Sequence, residues 1–184
     1  MVQKNWKTRI TKNIAHSLGQ IDPNEIKRLA EKIHSAQRIF LFGKGRTGLV
    51  IQMFGMRLTQ LGLPVFIISQ PATPALSADD LLILVSGSGE TKGILSSADQ
   101  ANKIGAELIV ITRETGSSLS QKTINKMVIP IREDEEKELL TSKVFTGTLF
   151  EQSLLTILDL VIVQLLELSG QSYQDMDQRH ANLE

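Results

Sequence analysis

Apolar residues in this chain fall into two kinds of pattern. Short unbroken blocks, within Arg38–Phe42, Leu81–Val85 and Leu108–Ile111, read as strands buried on both faces. Between the blocks, apolar positions recur every three or four residues, the period of a helix with one buried face. In order, the pattern predicts an N-terminal helix striped by Trp6, Ile10, Ile14 and Leu18. A second helix starts at Asp22-Pro23-Asn24-Glu25, with Asp22 as N-cap, and buries Ile26, Leu29, Ala30 and Ile33. The strand at 38–42 leads through a glycine loop, 43–48, into a helix that Gly62 ends. Further strands are expected at Val65–Ile68, Leu81–Val85, Leu108–Ile111 and Met127–Ile131, with helices at Thr91–Ile104 and Ser117–Lys122. A long helix over Thr148–Ser169 carries a broad apolar stripe, part of which is free to bury against another subunit. Gly170 stops it and leaves a polar tail, 171–184. The acidic run Glu133–Glu136 reads as a solvated loop or lid.

Strands alternating with helices predict one α/β domain, a three-layer α/β/α sandwich around a five-stranded parallel sheet. It divides into N-terminal helices (1–36), a sheet core (37–131) and a C-terminal helix with its tail (147–184). In the flavodoxin-like strand order, the order reverses between the first and third strands, and ligands bind beyond the carboxyl ends there. Those strands end in Gly43–Gly48 and Ser86–Thr91, so one crevice would receive both loops.

The second loop, Ser86-Gly87-Ser88-Gly89-Glu90-Thr91, joins a strand to a helix through small residues. Its glycines let the backbone approach a ligand, and the helix's first-turn N–H groups favour an anion. Ser86, Ser88 and Thr91 add hydroxyl donors suited to phosphate oxygens. The competing reading is a plain helix entry with Ser88 or Thr91 as N-cap and Glu90 in the first turn.

Composition narrows the partners. Twenty basic and twenty acidic residues cancel, which argues against nucleic acid or a membrane surface. No cysteine is present, so disulfides, thiolate metal sites and thiol nucleophiles are excluded, as expected of a cytoplasmic protein. No apolar run is expected to reach the roughly 18 residues that span a bilayer. Residues 1–21 are basic and free of acids, but their helical stripe and lack of a small-residue cleavage pattern favour a helix over a transit peptide.

Gly43-Lys44-Gly45-Arg46-Thr47-Gly48 matches the dinucleotide pattern G-x-G-x-x-G. That pattern also needs an acid at the end of the second strand to hold ribose hydroxyls, and Ile67-Ile68-Ser69-Gln70 supplies none. The triphosphate-loop pattern is absent too. Arg46 is then available for a phosphate or a substrate hydroxyl, unless it is simply solvated.

Two glycine loops in this order, the second reading Ser-Gly-Ser-Gly-Glu-Thr, resemble the sugar-isomerase (SIS) domain. Gly147-Thr148-Leu149-Phe150-Glu151-Gln152 and the terminal Arg179-His180-Ala181-Asn182-Leu183-Glu184 further resemble the 6-phospho-3-hexuloisomerase family. Thr47 stands where that pattern has serine, and Phe145-Thr146 where it has Pro-Met. The resemblance implies a phosphosugar substrate, with Ser86, Gly87, Ser88, Gly89, Glu90 and Thr91 at its phosphate and Arg46 and Thr47 lining the crevice. It also implies a homo-oligomer (tetramer or dimer) linked to a 3-hexulose-6-phosphate synthase in the ribulose monophosphate pathway of formaldehyde assimilation.

The implied reaction shifts a carbonyl between C3 and C2, from 3-hexulose 6-phosphate to fructose 6-phosphate through a 2,3-enediol. It needs a base, donors for the developing oxyanion and a proton carrier between the two oxygens, and it demands no redox cofactor or metal. Glu151 is the implied base, although Thr148-x-x-Glu151 is also a capping-box pattern. His180 is the implied second catalytic group, carrying protons or opening a cyclic substrate in its own or a neighbouring subunit's site; a tail histidine is otherwise solvent-exposed. The rivals are another SIS-type phosphosugar isomerase and a sensing module that binds phosphosugar without turnover.

Overall fold

The computed structural model describes residues 5–131 and 147–183. The acidic run at 133–136 and Phe145-Thr146 lie outside the described residues. Six helices and five strands follow in the order α1 (Trp6–Gly19), α2 (Pro23–Ser35), β1 (Ile39–Gly43), α3 (Gly45–Gln60), β2 (Val65–Ile67) and β3 (Leu81–Val85). They continue with α4 (Lys92–Ile104), β4 (Glu107–Thr112), β5 (Lys126–Val128), α5 (Thr148–Ser169) and α6 (Tyr173–Asp177). The sheet is parallel throughout, with order β2-β1-β3-β4-β5. This is the expected flavodoxin-like order.

Strand alternation divides the core. Ile39, Leu41, Leu81, Ile83, Val85, Ile109 and Ile111 face α2, α3 and α5, while Phe40, Phe42, Leu82, Leu84, Leu108 and Val110 face α4. All five residues of β3 are buried, which is why that strand shows no polar alternation. The layers are unequal, with most helices on one face.

Several boundaries differ from the expectation. Ser117–Lys122 is a set of turns, not a helix. Ser120 Oγ donates to the carbonyls of Thr115 (2.6 Å) and Ser117 (2.8 Å), and Leu119 N–H goes to Gly89 O, so local serine bonds replace a helical ladder. β5 ends at Val128 rather than Ile131, as an edge strand paired on one side only. The polar tail contains α6, held by a capping box between Ser172 and Asp175. The stripe of α1 is only half-buried, and the helix's fully buried residues are Asn13 and Ser17.

α5 also corrects the reading of apolar runs. By length and composition it could cross a membrane, with a mean hydropathy of 1.7 over its most apolar stretch. Its inner face packs on α1, α2 and α3, and 56% of that stretch is buried, as in a core helix.

Candidate active site

Register brings the two glycine loops together. Gly43 pairs with Val85 across β1 and β3, so the chain leaves both strands at the same level. The first loop is shorter than expected: α3 begins at Gly45, which puts Arg46, Thr47 and Gly48 in a helical first turn. Thr47 is half-buried there.

Ser86–Thr91 keeps its shape through its own hydroxyls. Ser86, buried, shares a 2.9 Å hydrogen bond with Thr91 Oγ1 and accepts the Gly89 N–H at 3.2 Å. Ser88 Oγ is exposed and accepts the Glu90 N–H at 3.3 Å. Thr91 is the N-cap of α4 without a side-chain cap bond, so the helix's opening amides keep no hydroxyl partner. Two glycines are required by their surroundings. A Cβ at Gly87 would lie 3.1 Å from the Phe150 ring, and Gly89 has φ +67 with Ser117 Oγ 2.2 Å from its notional Cβ. Glu90 turns away from the crevice. Its carboxylate accepts the Ser118 N–H at 2.7 Å, and that bond holds its pKa below the usual carboxylate range.

Phe150 seats the start of α5 against this loop, and Glu151 follows it. The N-cap of α5 is Gly147, at φ +89, a left-handed conformation that favours glycine. Thr148 is therefore the first helical residue, and the Thr148-x-x-Glu151 capping box does not form. Instead the Glu151 carboxylate, 10% exposed, accepts a hydrogen bond from Arg46 Nε, whose side chain is 63% exposed. Arg46 thus joins the N-terminal ends of α3 and α5. It lies on the carboxylate, with most of its side chain open to solvent.

His180 is not brought to this crevice in the same chain. Arg179 Nη1 donates to Gln60 O (3.1 Å), Gln171 Oε1 (2.9 Å) and Asp175 O (3.0 Å), which fastens the tail to the C-terminal end of α3. Arg46 is near the other end of that helix, 14 residues before Gln60 and so about 21 Å away at roughly 1.5 Å per residue. His180 is exposed, and its Nδ1 is 3.1 Å from Ala181 O.

Sequence reasoning missed three contributors. Phe150, buried in the core, backs the serine loop with its ring against Gly87. Thr112 Oγ1 donates to Gly87 O at 3.2 Å and pins the loop from β4. Lys44 places its Nζ against the first turn of α4. Only Lys44 had a visible signal, a cation inside the glycine pattern. A separate concavity lies between α2 and β5, but its charges are already engaged, Lys32 with Glu107 and Arg28 with Glu25. Among the described residues no group of three or more His, Cys, Asp or Glu could hold a metal ion.

Residues 32–156 match the SIS domain. This chain belongs to the SIS-domain family. It is 36% identical to the 3-hexulose-6-phosphate isomerase of Mycobacterium gastri over 171 residues, covering 93% of this chain and 86% of that protein. It is 33% identical to the Bacillus subtilis 3-hexulose-6-phosphate isomerase, covering 97% of each. Among solved structures it is similar to a Methanococcus jannaschii protein whose crystal structure was used to infer a 3-hexulose-6-phosphate isomerase function. The TM-score is 0.85 at 32% identity, covering 97% of this chain and 98% of that one.

Proposed function

We propose that this SIS-domain protein is a sugar-phosphate isomerase that interconverts 3-hexulose 6-phosphate and fructose 6-phosphate. The observation that carries the reading is the half-satisfied Glu151 carboxylate, set beside a hydroxyl-rich loop and bonded to an arginine that is largely open to solvent. Ser88, Thr91 and the first turn of α4 hold the phosphate, while Ser86, Gly87 and Gly89 keep the loop in shape. Glu151 removes the C2 proton, giving the 2,3-enediol, and returns a proton at C3. Arg46 orients Glu151 and, with Thr47, offers donors to the substrate oxygens as charge develops on them. Both carbons belong to one substrate, so the step needs no external oxidant or reductant.

His180 serves the site of a neighbouring subunit, since its own tail is tied to the far end of α3. Exposed Leu49, Met53 and Met56 on α3, with Leu160 and Val163 on α5, support a second copy covering these helices in a dimer or tetramer. A cytoplasmic place in the ribulose monophosphate pathway follows, downstream of a 3-hexulose-6-phosphate synthase. The test is a coupled assay for fructose 6-phosphate formed from 3-hexulose 6-phosphate. Turnover supports the reading, and binding of phosphosugar without turnover would favour a sensing module instead.

A further inference from the structure

Lys44 and Arg46 leave the end of β1 toward different partners. Arg46 reaches Glu151. Lys44 crosses to α4, where its Nζ lies 2.7 Å and its Cε 2.9 Å from the point a Cβ on Gly93 would occupy. The same ammonium is 6.0 Å from the centroid of the Phe42 ring. Gly93 is the second residue of α4, so the ammonium rests on the first turn of the helix that follows the serine loop.

That is an unfavourable place for an unbalanced cation. The N-terminal end of a helix is the positive end of its dipole. Lys92 adds a second positive charge, and the first turn contains no acid. The nearest carboxylate in sequence, Glu90, is committed to the Ser118 N–H. Lys44 itself forms no ion pair or hydrogen bond among the described residues, although it is within reach of the loop that would hold an anion.

We propose that Lys44 completes the phosphate site: its Nζ, resting on Gly93, binds the phosphate seated at Ser88, Thr91 and the α4 first turn. It thereby sets the preference for a phosphorylated over an unphosphorylated sugar. The inference rests on the phosphosugar reading above and deepens it. It also gives Gly93 a purpose, because any side chain there would push the ammonium off the helix. A dianionic phosphate brings the charge that two lysines and a helix dipole lack, and a charge-assisted contact is worth more than a neutral one.

The test is calorimetric titration of fructose 6-phosphate, with inorganic phosphate as a second probe, into wild type, Lys44→Met, Gly93→Ala and the double variant. Lys44→Met is expected to weaken both probes about tenfold, with the kinetic loss falling on KM rather than kcat. Lys44→Arg is expected to recover most of that loss. Gly93→Ala, which puts a methyl where the ammonium rests, is expected to weaken binding about threefold in wild type and to add nothing in the Lys44→Met background. Equal affinity of wild type and Lys44→Met for fructose 6-phosphate would overturn the inference and leave the phosphosugar reading intact. Equal weakening by Gly93→Ala in both backgrounds would also overturn it, since the alanine would then act without the lysine. A wild type that binds neither probe would overturn the phosphosugar reading and this inference together.

Discussion

Two arginine–carboxylate pairs bracket the central strands, and they are built differently. At the N-terminal ends of β1 and β3, Asp80 accepts Arg38 Nε (2.7 Å) and Nη2 (2.6 Å), and Ser77 N–H (2.6 Å) and Oγ (2.9 Å). Both its oxygens are engaged, and its side chain is 2% exposed. At the C-terminal ends, Glu151 accepts from Arg46 alone among the described residues, and most of that arginine faces solvent. A buried carboxylate that already accepts four hydrogen bonds ties segments together and offers little to a substrate. One with a single donor, beside a crevice, retains capacity for one. The contrast separates a pair that holds the sheet from a pair that is available for proton transfer.

Breaking each pair should therefore give opposite signatures. Glu151→Gln keeps a hydrogen-bond acceptor for Arg46 but removes the proposed base. It should cut kcat by about a thousandfold or more while leaving fructose 6-phosphate affinity within about threefold and thermal stability little changed. An active Glu151→Gln enzyme would end its assignment as base. Asp80→Ala should do the reverse, costing roughly 2–3 kcal/mol and roughly 5–10 °C in Tm, with the folded fraction still competent. Urea denaturation with an activity assay on the refolded protein measures both.

The Asp80 pair also sets a pH signature. The hydrogen bond from Arg38, more than any other cause, holds the Asp80 carboxyl below the usual carboxylate range. The folded protein thus binds fewer protons there than the unfolded chain. The contribution is fully present above the unfolded pKa of about 3.9 and is lost as pH falls through the lower folded value. Wild type should lose stability faster than Asp80→Ala below about pH 4, and parallel acid-unfolding curves would contradict this.

His180 offers a sharper form of the comparison, because its tail is tied at the opposite end of α3 from Glu151. His180→Asn should lower kcat about tenfold to a hundredfold. Refolded together in equal amounts, His180→Asn and Glu151→Gln chains should recover roughly a quarter of wild-type activity, since some sites then combine an intact Glu151 with an intact neighbour's tail. Mixtures no better than the separate variants would remove the shared site. The smallest effect is expected at the loop, where Ser88→Ala with Thr91→Ala should raise KM for phosphosugar about tenfold and leave unphosphorylated sugar unaffected.

Much of this was legible in the chain. The apolar blocks gave the strands, and the common flavodoxin-like order of such sheets, which this one adopts, brings Gly43 and Val85 level. The serine loop announced itself because its chemistry is local: a strand end, glycines, hydroxyls and a helix start are contiguous. The Arg46–Glu151 pair was not legible, because 105 residues separate the partners and Thr148-x-x-Glu151 offered a local alternative. That alternative failed at one backbone position, Gly147, which took the N-cap. The expected helix at Ser117–Lys122 was lost to serine hydroxyls bonding nearby carbonyls, a competition that apolar periodicity does not register. Lys44 was visible as a charge inside a glycine pattern, but its direction depends on the space above Gly93, which only the packed helix defines.

The central claim is that Glu151 moves a proton between C2 and C3 of a six-carbon phosphosugar. Incubating fructose 6-phosphate with the enzyme in deuterium oxide and following each carbon-bound proton by NMR tests it most directly. Deuterium is expected to enter C3, with 3-hexulose 6-phosphate forming alongside and neither change occurring with Glu151→Gln. Deuterium entering C1 instead would mean a 1,2-enediol and an aldose–ketose isomerase. Exchange at C3 that persists in Glu151→Gln would show that another residue is the base.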